Sequence, residues 1–294
     1  MKANPWWVHP ALLVTCIIYG ANFSIAKSIM PEPIPPFGFI FIRVAVATSF
    51  FWLIHLLFVR EQIQFKREYF KLMVCGFFGA AINMLMFFKG LSLTSPVNAS
   101  LIMTTTPVAV VVASYFILKE RITWFKGIGL AMGFGGAVFL IGLHKFSWNN
   151  DYLLGDLMNM GNAITYAIFL VLVRPLMIKY HPITVIKWVF LFGFMFIIPF
   201  TIHEAVDISF SAFTPFQWAS LLYVVLGATV FAFLANVSAL KYVSSSVVAY
   251  YAFMQPVVAT VIELVTGRET PTMGKLFSAL LIFGGVYLVS QRKA

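Results

Sequence analysis

The sequence predicts an all-α integral membrane protein of ten transmembrane helices, arranged as two inverted five-helix repeats. Three observations carry this expectation. Of 294 residues, 61% are hydrophobic and only 10% charged, against roughly 25% charged in an ordinary soluble domain. That is too few to cover a water-facing surface, whereas a lipid-facing one needs almost none. The apolar residues also come in unbroken runs of roughly 20, the helical length of the ~30 Å hydrocarbon layer. A membrane barrel would instead alternate apolar and polar residues along short strands. Finally, the second half of the chain repeats the first.

Charged or Pro/Gly breaks bound each span in turn. The first, 8–29, follows Met1-Lys2 and is too long for a signal peptide, so it is retained. The second, 37–59, starts after the proline-rich stretch ending at Pro36 and stops at Arg60. The third, 69–89, lies between Arg67 and Gly90; the fourth, 96–118, opens on Pro96 and stops before Lys119-Glu120-Arg121. Spans 125–143 and 155–173 follow, the latter ending at Arg174. Spans 183–202 and 216–240 begin just after Pro182 and Pro215; spans 245–266 and 273–289 flank Gly267-Arg268-Glu269.

With a cytoplasmic N-terminus, 14 of the 20 Lys and Arg residues fall at inner ends, 5 at outer ends, and Arg43 lies within a span. This asymmetry places both termini in the cytoplasm of a bacterial inner membrane. The net charge of +10 is therefore an orientation signal. Its basic residues are scattered and form no nucleic-acid-binding face.

The repeat aligns without gaps at an offset of 149. Leu91 falls on Leu240, Ser95 on Ser244, Pro107 on Pro256, Glu120 on Glu269, and Gly135-Gly136 on Gly284-Gly285. Nearer the start of each half, Tyr19 meets Tyr166 and Lys27 meets Arg174 at an offset of 147. The repeats are thus expected at 1–146 and 147–294, together forming one transport unit. Five spans is an odd number, so the copies run in opposite senses across the membrane. Such copies can exchange conformations around a mid-membrane site, which is alternating access.

Several segments resemble the EamA family of the drug/metabolite transporter superfamily over nearly the whole chain. They are Tyr19-Gly20-Ala21-Asn22-Phe23 with Lys27, where the family usually has Trp-Gly at the first two positions, and Arg43 with Ala47. They also include the run from Gly90-Leu91 through Ser95 and Pro107 to Lys119-Glu120-Arg121, with its second copy Ala239-Leu240, Ser244, Pro256 and Gly267-Arg268-Glu269. The resemblance implies ten helices in two five-helix repeats and export of small metabolites such as amino acids or amphiphilic toxicants. Small four-helix multidrug relatives couple to protons through a glutamate in their first span. This chain has no acid there, so that coupling does not carry over.

Pro107 and Pro256 each remove a backbone donor and free the carbonyl four residues back, at Met103 and Ala252, making kinks that serve packing or gating. Asp156, Asn159, Asn162 and Tyr166 recur at helical spacing and form a polar stripe. Asn22, Asn83, Asn98 and Thr105 add polar groups at membrane depth. Their amides and hydroxyls either bond between helices or line a wet cavity for a zwitterion. Tyr19, Tyr166, Trp188 and Tyr250 are candidates for an apolar subsite, and Gln255 is exposed by the kink beside it. Arg43 suits a substrate carboxylate, while Lys27 and Arg174 are expected to snorkel. Glu263 is either an interfacial partner of Arg268 or a coupling carboxylate.

No cofactor or metal is expected: Cys16 and Cys75 lie in apolar runs, and the five histidines are scattered. No Walker motif is present, so a gradient or the substrate's own concentration drives transport. No span carries an acid pair, a Ser/His set or metal ligands, which argues against an enzyme. The matches to the glycosylation pattern at Asn22, Asn98 and Asn236 lie in spans and are discarded, and Gly129-x-x-x-Gly133 reads as a packing face. The expected partners are a small-molecule substrate and membrane lipid, with the oligomeric state open and a monomer sufficient. A nucleotide sugar or a lipid is the alternative cargo.

Overall fold

The computed structural model describes residues 6–94, 96–141, 150–258, 261 and 272–290, and the regular elements among them are all helices. In chain order they are α1 (Val8–Lys27), α2 (Pro36–Val59), α3 (Lys66–Leu93), α4 (Pro96–Met103) and α5 (Thr106–Leu118). They continue as α6 (Trp124–Ile141), α7 (Asn150–Lys179), α8 (Pro182–Val206), α9 (Pro215–Ala239), α10 (Ser245–Tyr250) and α11 (Met273–Ser290). Six of them, α1, α2, α3, α7, α8 and α9, are long and apolar enough to cross a membrane. Large apolar side chains such as Leu56, Phe58, Phe116, Phe200 and Leu280 point outward, as lipid-facing residues must. The chain is a multi-pass membrane protein.

Local chemistry sets the helix ends. Proline occupies the first turn of α2, α8 and α9, where its missing N–H costs nothing. Thr214 and Gln217 form a reciprocal capping box on α9. Arg60 and Lys119 close α2 and α5 in the left-handed region, at φ 50° and 55°.

The principal helix pairs include α6 with α11, α2 with α8, α3 with α7, α3 with α8, α1 with α9, α5 with α7, and α2 with α9. The glycines at 129 and 133 serve the first of these. A Cβ added to Gly285 of α11 would lie 2.7 Å from the Gly129 carbonyl oxygen and 2.9 Å from the Gly133 amide, so these backbones touch. Cys16 and Cys75 are buried and unbridged.

Helical regularity breaks at related places. The stretch expected as a single fourth span divides at Thr104–Thr105, where the Thr105 amide bonds back to Ile102 at 2.9 Å and leads into Pro107. The ninth tightens into a 3-10 turn, Tyr251–Met254, just ahead of Pro256. Both breaks follow from a proline that cannot supply the helical N–H. α3 contains a π-helical turn at Phe77–Ala81 and α9 one at Tyr223–Ala232. Shifted by the sequence offset of 149, the first falls inside the second.

Candidate functional site

These irregular segments surround a cavity of about 120 Å³. α1 contributes Tyr19 and Asn22, α2 Arg43, α3 Asn83, Met84, Phe87 and Phe88, and α7 Asn162 and Tyr166. Ala228, Thr229 and Phe233 come from α9. The two breaks supply Met103 with Thr106 and Ala252 with Gln255. Met103 and Ala252 are the residues whose carbonyls the prolines release from the regular helical bond; the Ala252 carbonyl is taken up instead by the Gln255 amide within the 3-10 turn.

Arg43 is 5% exposed and has no carboxylate partner among the described residues. Its Nε and Nη2 donate to Thr229 Oγ1 at 2.8 and 2.6 Å, and its guanidinium carbon lies 4.1 Å from the centre of the Phe88 ring. Thr229 is presented by the π register, its hydroxyl donating to the Val224 carbonyl five residues back at 2.8 Å. Among the described residues Arg43 Nη1 has no hydrogen-bond partner, and neither does Oδ1 of buried Asn22. The cavity wall therefore holds an unused cationic donor and an unused neutral acceptor, among aromatic and thioether groups.

The remaining polar lining is already bonded in part. Asn83 Nδ2 donates to the Asn162 carbonyl at 3.2 Å and Asn162 Nδ2 to the Asn83 carbonyl at 2.8 Å, pinning α3 to α7. Asn236 donates from Nδ2 to the Tyr166 hydroxyl.

Two stretches, residues 6–142 and 153–291, match the EamA-like transporter family. The chain belongs to the EamA-like transporter family. This EamA-like chain is similar to the uncharacterized transporter YetK of Bacillus subtilis (strain 168), at 26% identity over 97% of this chain and 87% of that protein. It is also similar to an uncharacterized transporter of Archaeoglobus fulgidus, at 25% identity over 97% of this chain and 98% of that one. A solved crystal structure shares the fold, with a TM-score of 0.73 and 20% identity across 96% of both chains. The protein is a membrane transporter.

In this EamA-like transporter, Tyr19, Asn22, Arg43, Asn83, Asn162, Tyr166 and Gln255, all singled out from sequence, meet at the cavity. Thr105 turns its hydroxyl to the Ile102 carbonyl at 2.7 Å, and its neighbour Thr106 lines the cavity instead. Asn159 is fully buried and donates to the Gly155 carbonyl at 2.8 Å. Trp188 packs edge-on against Trp52 and Tyr69, with ring centres 5.1 and 4.9 Å away. Tyr250 donates to the Lys126 carbonyl at 2.6 Å. Pro107 and Pro256 are buried behind the breaks they cause. Glu263 and the side chain of Asn98 lie outside the described residues.

Sequence reasoning missed Met84, Phe87, Phe88, Thr106, Ala228, Thr229 and Phe233 as lining residues. The repeat offset could have found one of them, since 149 takes Thr106 to Gln255, which the sequence singles out. Lys27 and Arg174, expected to snorkel, are both engaged. Lys27 Nζ donates to the carbonyls of Leu91, Ser92 and Thr94 at 2.8, 2.9 and 3.0 Å, capping the end of α3. Arg174 pairs with Glu120, which also holds Lys126 at 3.2 Å.

Proposed function

We propose that this transporter is a secondary exporter of neutral amino acids with hydrophobic or aromatic side chains, and that it performs no catalytic step. One observation carries the reading: Nη1 of Arg43 and Oδ1 of Asn22, without hydrogen-bond partners among the described residues, belong to side chains that line one cavity together with aromatic and thioether groups. A carboxylate accepts from the first, an ammonium donates to the second, and Phe87, Phe88, Met84 and Phe233 receive the side chain. The cavity's 120 Å³ is several times what one water needs, roughly 10–15 Å³, which suits a small solute. A nucleotide sugar or phospholipid would bring phosphate charge to a lining in which Arg43 is the single Lys or Arg.

The cycle we propose is alternating access between two inverted five-helix repeats, 1–146 and 147–294, forming ten spans. The double family match supports the repeat. So does the packing: replacing each span by the one five later turns α3 with α7 into α9 with α1, and α3 with α8 into α9 with α2. The pairs α2 with α8 and α6 with α11 map onto themselves. Both termini in the cytoplasm of the bacterial inner membrane is the orientation that the 14-to-5 distribution of basic residues supports.

Purified protein in liposomes is expected to exchange labelled phenylalanine or leucine for the unlabelled amino acid. Arg43→Ala and Asn22→Ala are expected to lower that exchange while leaving monodisperse, folded protein. Unchanged exchange in both variants removes this site from the cycle; exchange of a phosphorylated solute alone replaces the substrate class.

A further inference from the structure

A second opening, separate from the central cavity, lies where α2 ends and α8 begins. It encloses about 540 Å³ and is lined by residues including Trp52, Leu53, His55, Leu56, Arg60 and Lys187, with no Asp or Glu in its wall. Lys187 sits in the second turn of α8 and is only 6% exposed. It does not reach to the surface as lysines near helix ends commonly do. Its Nζ donates to His55 Nδ1 at 3.0 Å and lies 4.5 and 5.3 Å from the ring centres of Trp52 and Trp188. His55 Nε2 donates to the Glu61 carbonyl at 2.8 Å, which leaves Nδ1 as the acceptor for Lys187. Glu61 turns its own Oε2 to the His181 amide at 2.8 Å; it acts on the lysine through its charge and forms no ion pair with it among the described residues.

The polar groups at this opening have donors to spare. Among the described residues, two of the three Lys187 N–H bonds have no hydrogen-bond acceptor, and the Trp52 Nε1–H is buried without a partner. Arg60 donates from Nε to the Leu56 carbonyl at 3.2 Å, leaving its terminal nitrogens free for a further acceptor. A multivalent oxyanion answers such a set. Leu53 and Leu56, 54% and 66% exposed, continue the same wall toward lipid. The ligand that fits both parts carries a phosphate on an apolar body.

We propose that this opening binds the phosphate of an anionic phospholipid, drawn from the leaflet at that end of α2, with its acyl chains along Leu53 and Leu56. Basic pockets between membrane helices are established places for such headgroups. In the orientation proposed above, this is the cytoplasmic leaflet. The binding itself depends on neither that orientation nor the cargo of the central cavity.

The test is native mass spectrometry of the delipidated full chain titrated with phosphatidylglycerol, phosphatidylcholine or inorganic phosphate. Wild type is expected to retain phosphatidylglycerol over phosphatidylcholine. Lys187→Met and Arg60→Gln are expected to reduce that preference about fivefold each, as the loss of one basic contact predicts. Lys66→Gln, which removes an exposed cation outside this wall, is expected to leave it intact. Arg60→Gln decides the matter if Lys187→Met does not fold, because Arg60 is exposed. No preference for phosphatidylglycerol in wild type, the same preference in Arg60→Gln, or an equal loss in Lys66→Gln overturns the site. Retention of inorganic phosphate without lipid preference overturns the lipid assignment.

Discussion

Arg43 is held by a hydroxyl and an aromatic face, neither of which can neutralise it. Arg43→Lys keeps the charge but loses the two-pronged grip on Thr229 and the guanidinium's contact with the Phe88 ring, so amino-acid exchange should fall about tenfold with folding unaffected. Liposome exchange beside thermal melting measures both. Thr229→Val removes the only hydrogen-bond acceptor that Arg43 has among the described residues, and leaving that donor unsatisfied should lower stability by about 1–3 kcal/mol. Residues of this kind divide sharply by how visible they are in sequence. Arg43, Asn22 and Asn83 stand out because a polar group inside an apolar run needs a reason. Thr229, Phe87 and Phe233 do not, since threonine and phenylalanine are unremarkable in such a run. Aromatic type alone misdirects: in a chain that is 17% aromatic, Trp188 and Tyr250 have partners elsewhere.

Among the elements, the six long apolar helices are legible from hydropathy, and their interruptions only partly so. Pro107 and Pro256 announce a kink, yet whether a helix divides, as at Thr104–Thr105, or tightens, as at Tyr251–Met254, depends on what packs against it. The π turns in α3 and α9 carry no proline, and their sequences read as ordinary apolar helix. Pro107→Ala restores the missing donor and should let α4 and α5 join. Exchange should drop while the melting temperature holds or rises, a combination that a simple folding defect cannot produce. Gly285→Val acts oppositely. It forces apart backbones in contact at Gly129 and Gly133, so the melting temperature should fall in detergent.

At the scale of the whole molecule, composition decides the solvent, and the repeat supports the architecture proposed above. What neither carries is which groups face each other between helices distant in sequence. Arg43 with Thr229, Tyr166 with Asn236 and Lys27 with the end of α3 are contacts between residues distant in sequence, and even the polar stripe that includes Tyr166 does not say which group it meets. The proposed orientation predicts that a fluorescent protein fused to the C-terminus fluoresces, and that alkaline phosphatase fused there stays inactive. The reverse pair of results would place the basic ends outside.

The unpaired guanidinium nitrogen also bears on traffic through the proposed cycle. A carrier that reorients empty must carry a desolvated cation with an idle N–H through its occluded state, whereas one that reorients loaded lets the cargo's carboxylate travel with it. The return leg is then the slow one. Substrate on the far side should accelerate efflux, making the protein a better exchanger than a one-way pump, and the ratio of counterflow to net efflux measures how much that single nitrogen matters.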